Sequence, residues 1–344
     1  MASTSRKFEK TQFISRLRDK EEVRSAFLLK YAALGTGKNG KPFMNLVLMD
    51  SSGEIEARIW EDAARHSGHA VRDAIVLVTG KVQSYQGRLQ VVVASLEVLR
   101  EDEVALSDLL PKSRVDAEAL YPVLLEKVAS MRDPHYRALA EAVLRDDAEI
   151  SALLKRAPAA KAMHHAYPGG LLEHIVSITQ VLDFLSLHYA GRVDRDLLFL
   201  GGFFHDIAKI WELTFDKTTD YSNEGRLVGH LVMGVELVER KIRWLESQPG
   251  RLPAPFPQEK KLLVKHLILA HHGKLEYGSP VVPQTLEALI VHYIDDLDSK
   301  VNQIGEFMVQ DSAPGDWTLL NKHHNRFFYK AGLQGAGGSA GPLG

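Results

Sequence analysis

The sequence predicts a two-part molecule of mixed class, a small five-stranded β-barrel followed by an all-α domain. Three observations lead to it. The 344 residues exceed one ordinary core and suit two, at roughly 150 residues per domain. From residue 26 to about 99 the text reads as strands, with a clear period of two at "IEARIW" (55–60), and then the rhythm stops. From about residue 118 apolar residues recur every three or four positions instead.

Composition narrows the chemistry. Apolar residues make up 45% and charged residues 25%, as in ordinary soluble globular chains. No window approaches the ~18 apolar residues that cross a bilayer, and "MASTSRKFEKTQF" has no apolar core of signal-peptide type. A cytoplasmic address with no membrane partner is the expectation. The absence of cysteine excludes disulfides, a thiolate nucleophile and a thiolate metal site, so any metal must be held by His and carboxylates. Net charge is −2, unevenly spread: residues 1–100 carry 16 Lys+Arg against 11 Asp+Glu, the remainder 26 against 33. That division suits a polyanion-binding module joined to a cation-binding one, and equally suits uneven surface decoration.

The strands follow in order. "AFLLKYAAL" (26–34) precedes the basic, turn-rich "GTGKNGKP" (35–42), then "FMNLVLMD" (43–50) and "IEARIW" (55–60). In the last, Ile55, Ala57 and Ile59 face one side, and Glu56, Arg58 and Trp60 the other. The polar segment 61–73 holds a helical turn, and 74–99 reads as two strands about "SYQGR". Five strands with a helical insertion after the third is the layout of an oligonucleotide-binding (OB) barrel over residues 1–100. Such barrels stack bases on aromatics and follow the backbone with Lys and Arg. Trp60, Arg58 and Lys41 are the candidate strand contacts, with Tyr31, Phe43 and Tyr85 as further aromatics. Residues 101–117 read as a linker and the Gly-rich 331–344 as a disordered tail.

The helical domain, 118–330, places histidines in apolar text. "FFHDIAKI" (203–210) sets His205 beside Asp206, and burying such groups is costly unless something pairs with them. A salt bridge, a backbone hydrogen bond and a metal ion all qualify. His174, His205–Asp206, His230, His271–His272 and Asp295 each fall on or at the end of a different predicted helix. A shared cation would satisfy them together, where separate burial needs a private partner for each. Gly273 fits a cap that puts His271–His272 at a helix end, and Pro283 and Thr285 are start signals for the last helix.

His…His-Asp…Asp resembles the signature of the HD superfamily of metal-dependent phosphohydrolases. "HHAYPGGLLEHIVS" (164–177), "HHGKLEYGSP" (271–280) and "HYIDDLDSK" (292–300), behind an OB barrel, resemble the YhaM-type 3′→5′ exoribonucleases. The resemblance implies two divalent cations. His174, His205, Asp206 and Asp295 would hold the first; Asp206 would bridge to a second completed by His230, His271 and His272. It favours Mn²⁺, with Fe, Co, Ni or Zn as alternatives. Such a pair activates water for in-line attack on phosphorus and stabilises the leaving oxygen. By the same resemblance Lys209 would neutralise a phosphate oxygen, His164 and His165 would lie on the substrate side, and Lys300 would contact phosphate. Asp298, three residues after Asp295, would orient a ligand. A third cation would want a carboxylate at position 170, where this chain has glycine. The implied activity is 3′→5′ exonucleolysis of single-stranded RNA, or also DNA, with a homo-oligomer hinted. The alternatives are a phosphodiesterase acting on a small nucleotide and a nucleic-acid-binding protein with a vestigial HD site.

Overall fold

The computed structural model describes residues 7–37, 40–111, 113, 115–161, 165–311 and 313–332. His164 and positions 333–344 of the expected tail lie outside them. The chain divides into two compact units, one up to Arg114 together with Phe215–Asp220, the other taking the rest.

In the first unit β1 (Glu22–Thr36), β2 (Pro42–Asp50), β3 (Gly53–Ile59), β4 (Ile75–Tyr85) and β5 (Arg88–Leu99) close a barrel in the order β1-β2-β3-β5-β4. The short α1 (Ala63–His66) lies between β3 and β4, at the insertion expected of an OB barrel. Alternation explains the closure: Phe27, Leu29, Leu46, Leu48, Ala57, Val76, Val78 and Val91 point inward and are buried. β1 shifts register between Leu29 and Tyr31, a bulge that lets one strand pair with both β2 and β4. Part of the stretch read as a linker packs on this unit, because Val104 and Leu109 join Ala26, Leu28, Met49 and Ile75 in a second cluster. Phe215–Asp220 belongs here as well: Arg72 donates to Thr218 and pairs with Asp220, and Asp73 accepts from Thr218.

The second unit is helical: α2 (Ala117–Ala129), α3 (Pro134–Leu144), α4 (Ala148–Leu154), α5 (Gly170–His188), α6 (Arg195–Phe204), α7 (Lys209–Glu212), α8 (Asn223–Leu227), α9 (His230–Ser247), α10 (Gln258–Ala270) and α11 (Leu286–Gln310). Between α7 and α8 the two-residue strands β6 (Leu213–Thr214) and β7 (Asp220–Tyr221) pair. Side chains of Asp116, Asp133, Asp147, Asp194, Ser222 and Thr285 cap helix starts by accepting from backbone N–H groups. α5 packs on α6, and α11 packs on both.

One compositional expectation is corrected here. α5 is by length and composition apolar enough to cross a bilayer. Leu171, Leu172, Ile175, Ile178 and Leu182 are buried in the unit's core, which accounts for the apolar run.

Candidate metal centre

Helix ends and the faces of two long helices assemble the site. α5 supplies His174 from its second turn; His205 caps α6, and Asp206 follows it. α7 begins at Lys209 and ends at Glu212, His230 opens α9, and His271 caps α10 with His272 next. α11 contributes Asp295 and Asp298. The turn after α10 requires Gly273: its φ is +79°, and a Cβ there would stand 2.1 Å from the His292 ring. His292 in turn shares a hydrogen bond with the His271 carbonyl at 2.8 Å.

Two donor sets result. One atom from each of His174, His205, Asp206 and Asp295 fits within 4.8 Å of the others, and so it is for His230, His271 and His272. Asp206 faces both. Its Oδ2 lies 3.7 Å from His174 Nε2 and 3.5 Å from His205 Nε2; its Oδ1 lies 3.5 Å from both His230 Nε2 and His271 Nε2.

Outward-facing ring nitrogens are tied down, which points the others inward. His205 Nδ1 faces the carbonyls of Gly201 and Gly202 at 3.2 and 3.1 Å, and His271 Nδ1 that of Ile268 at 2.8 Å. His230 Nδ1 meets Glu212 Oε1 and His174 Nδ1 meets Asp298 Oδ2, both at 2.8 Å. With Nδ1–H donated, a neutral ring at His205, His230 or His271 presents the Nε2 lone pair toward the centre, while His174 Nε2 also faces Asp295 at 3.3 Å. There the donor atoms crowd one another. His174 Nε2 and His205 Nε2 stand 3.3 Å apart, and Asp206 Oδ1, His230 Nε2 and His272 Nδ1 are buried without a hydrogen bond among the described residues. Buried acceptors without a partner cost free energy, and a cation bound here would remove that cost. The donor set, all nitrogen and oxygen, fits divalent metal binding.

Protonation follows the same plan. Burial drives His205 and His272 down to about 4, so both are neutral at pH 7. Burial also pulls on His174, but hydrogen bonds with Asp295 and Asp298 outweigh it and lift the ring to about 9. Burial opposes ionisation of Asp206, yet Lys209 and His205 hold it well below the usual carboxylate range. Lys209 Nζ lies 2.7 Å from Asp206 Oδ2, so its ammonium is engaged at the site itself.

Other candidates sit elsewhere. Both ring nitrogens of buried His165 are occupied, Nδ1 by Tyr167 and Glu173 at 3.1 Å and Nε2 by Asp298 at 3.2 Å. It stands behind Asp298, with no nitrogen left for a substrate. Asp298 also accepts from Ser177 at 2.6 Å and so holds His174 and His165 together. Lys300 is exposed and paired with Asp296 at 2.6 Å. Gly170 has no room for a carboxylate, since a Cβ would come within 2.1 Å of the His165 carbonyl. Trp60, Arg58 and Lys41 belong to the barrel unit, where Trp60 is 51% exposed and stacks on Phe43 at 5.2 Å. Glu212, Glu173 and Tyr167 were missed by sequence reasoning. Glu212 had a signal: it is the one carboxylate within the apolar run 207–213.

The HD domain family profile matches residues 171–300, the OB-fold nucleic acid binding domain profile (tRNA_anti-codon) residues 22–99, and TraI_2, whose description names a helicase, residues 115–187. Among solved structures, the second OB-fold domain of replication protein A from Methanococcus maripaludis aligns with 26% of this chain and 95% of its own, at 20% identity and TM-score 0.23. The mitochondrial single-stranded DNA binding protein Rim1 of S. cerevisiae aligns with 24% and 98%, at 11% identity and TM-score 0.21. Among curated proteins, the 3′-5′ exoribonuclease YhaM of Oceanobacillus iheyensis is 35% identical over 316 residues, 91% of this chain and 95% of that one. With that identity over an alignment that covers 91% of the chain, this protein belongs to the YhaM 3′-5′ exoribonuclease family.

Proposed function

We propose that this protein is a metal-dependent 3′→5′ exoribonuclease that hydrolyses single-stranded RNA, and single-stranded DNA as a second substrate, at a site for two divalent cations with Mn²⁺ preferred. One observation carries the reading: the two oxygens of Asp206 face two different sets of imidazole nitrogens. His174, His205, Asp206 and Asp295 would hold one cation; His230, His271 and His272, with the other Asp206 oxygen, would hold its neighbour. Bound there, such a pair lowers the pKa of water and stabilises charge on the attacking and leaving oxygens of an in-line displacement.

The protein's own groups do the positioning. Lys209 keeps Asp206 ionised and places positive charge beside the site. Glu212 and Asp298 fix the tautomers of His230 and His174. On the barrel, Trp60 with Phe43, Arg58 and Tyr31 offers exposed ring faces and a guanidinium to a single strand. Self-assembly is part of the same reading, supported by Leu289, Tyr293, Leu297 and Val301, which leave an apolar ridge exposed on α11.

The test is metal-loaded protein with 5′-labelled single-stranded RNA. Stepwise shortening from the 3′ end with mononucleotide release supports the proposal. Hydrolysis confined to cyclic dinucleotides or nucleoside triphosphates would move the activity to small nucleotides. Absence of turnover with Mn, Fe, Co, Ni or Zn would leave a binding protein.

A further inference from the structure

After α11 the chain doubles back as a short hairpin whose apolar face is turned to solvent. Trp317 bridges Tyr329, and Thr318 N–H donates to the Phe328 carbonyl at 2.9 Å. In this register Trp317, Leu319, Phe327 and Tyr329 share one face, each 56–59% exposed. Trp317 and Tyr329 meet edge to face at 5.2 Å. Thr318, Phe328 and Lys330 occupy the opposite face; Phe328 packs on Phe307 of α11, and Lys330 is buried against Asp311 at 2.8 Å. A two-sided ribbon ordinarily sends its apolar residues inward and its polar ones out. This one turns Phe328 and Lys330 inward but leaves four apolar side chains of the other face in solvent.

The hairpin is held firmly. His324 Nε2 lies 3.1 Å from Gln303 Oε1 of α11, and Asn321 Oδ1 accepts from the N–H groups of His323 and His324. Its tip carries Lys322, His323, His324 and Arg326, and residues 317–332 contain no carboxylate. Lys300 adds positive potential at His324. Gln303 is eight residues beyond Asp295 on α11, ~12 Å along the axis at 1.5 Å per residue.

We propose that this hairpin is a second single-strand contact, on which bases upstream of the scissile bond stack against Trp317, Phe327 and Tyr329 while Lys322 and Arg326 meet their phosphates. The inference rests on the exonuclease reading of the metal centre. Three of the four exposed residues are aromatic, the rim is cationic, and the helix that anchors the hairpin also carries Asp295. Stacked bases with a phosphate backbone match that set; an apolar protein surface would leave the cationic tip unanswered.

Two full-length variants, Trp317→Ala/Tyr329→Ala and Lys322→Glu/Arg326→Glu, test it, with folding checked by circular dichroism. Each is also built on Asp206→Ala, so that affinity for a labelled 20-nucleotide RNA is measured without turnover. The stacking variant should weaken that affinity about tenfold or more, at ~1–3 kcal/mol per lost base. In the active background the KM advantage of a 20-nucleotide over a 3-nucleotide RNA should collapse, and Trp317→Phe should restore most of it. The charge variant should flatten the salt dependence of binding. Unchanged affinity in both variants overturns the proposal, as does loss of a wild-type self-association with RNA affinity intact, which would assign the face to a second copy. Failure of the exonuclease reading would look different: no turnover by the unmodified protein, whatever the RNA affinities.

Discussion

On the outer face of the barrel, charged side chains pair with near neighbours in water: Arg58 with Glu56 at 3.1 Å, Lys30 with Glu54 at 2.5 Å, partly exposed. In the middle of the helical unit the charged groups are buried and tied down on their outer atoms, and among the described residues Asp206 Oδ1, His230 Nε2 and His272 Nδ1 find no partner. Exposed pairs contribute about 0–1 kcal/mol each, so a phosphate displaces them at little cost. Buried polar atoms without partners are expensive, so their persistence calls for a resident group. The first arrangement suits exchangeable recognition, the second a fixed centre.

The largest expected effect breaks the second arrangement outright. Asp206→Ala removes the residue that faces both donor sets and strands Lys209. Turnover should fall to background and metal content drop in elemental analysis, with about 3–5 kcal/mol lost from the stability of the metal-free protein in denaturant unfolding. Retained turnover would undo the contrast. Next come Glu212→Gln and Asp298→Asn, which leave every proposed ligand in place but release the tautomers of His230 and His174. Metal affinity should fall about 10- to 100-fold by titration calorimetry. Equal affinity would make those carboxylates bystanders.

Smaller effects sharpen the barrel side. Trp60→Ala should weaken binding of a long single strand by about 1–3 kcal/mol, and Arg58→Ala should lower the slope of log affinity against log salt by about one or less, both read by fluorescence anisotropy. The smallest signal is a proton. His174 sits at about 9 in the folded protein against 6.5 as its ordinary value, so its proton is bound at pH 7.5. The stability this gives the metal-free state is fully present below about 6.5 and lost as pH rises through 9. A cation must expel that proton, whereas His205 and His272 are already neutral. Metal binding at pH 7.5 should therefore release about one proton, fading above pH 9, as measured by calorimetry in buffers of differing ionisation enthalpy.

Much of this was readable from the chain because local rules produced it. Alternation marked Ile55, Ala57 and Ile59 as barrel core, and all three are buried or nearly so. Thr285, a start signal in the sequence, became the cap of α11, and "HHG" became a helix end because only glycine fits beside His292. What stayed hidden is pairing across distance. Glu212 reaches His230 over 18 residues, and Asp298 meets His165 over 133; neither partner is implied by spacing. Counting apolar residues passed over α5, whose window is long and apolar enough to span a bilayer, and composition gave no hint that Phe215–Asp220 would leave the helical unit for the barrel unit.

The way four of the imidazoles are oriented has a consequence for heredity. His205 and His271 take their bearing from main-chain carbonyls one turn back on their own helices, while His174 and His230 lean on Asp298 and Glu212. A missense change can delete a carboxylate but not a peptide oxygen. Variation among descendants that keeps every ring yet tunes the grip on the cations is therefore channelled through codons 212 and 298, while the bearing of His205 and His271 is insulated from such drift.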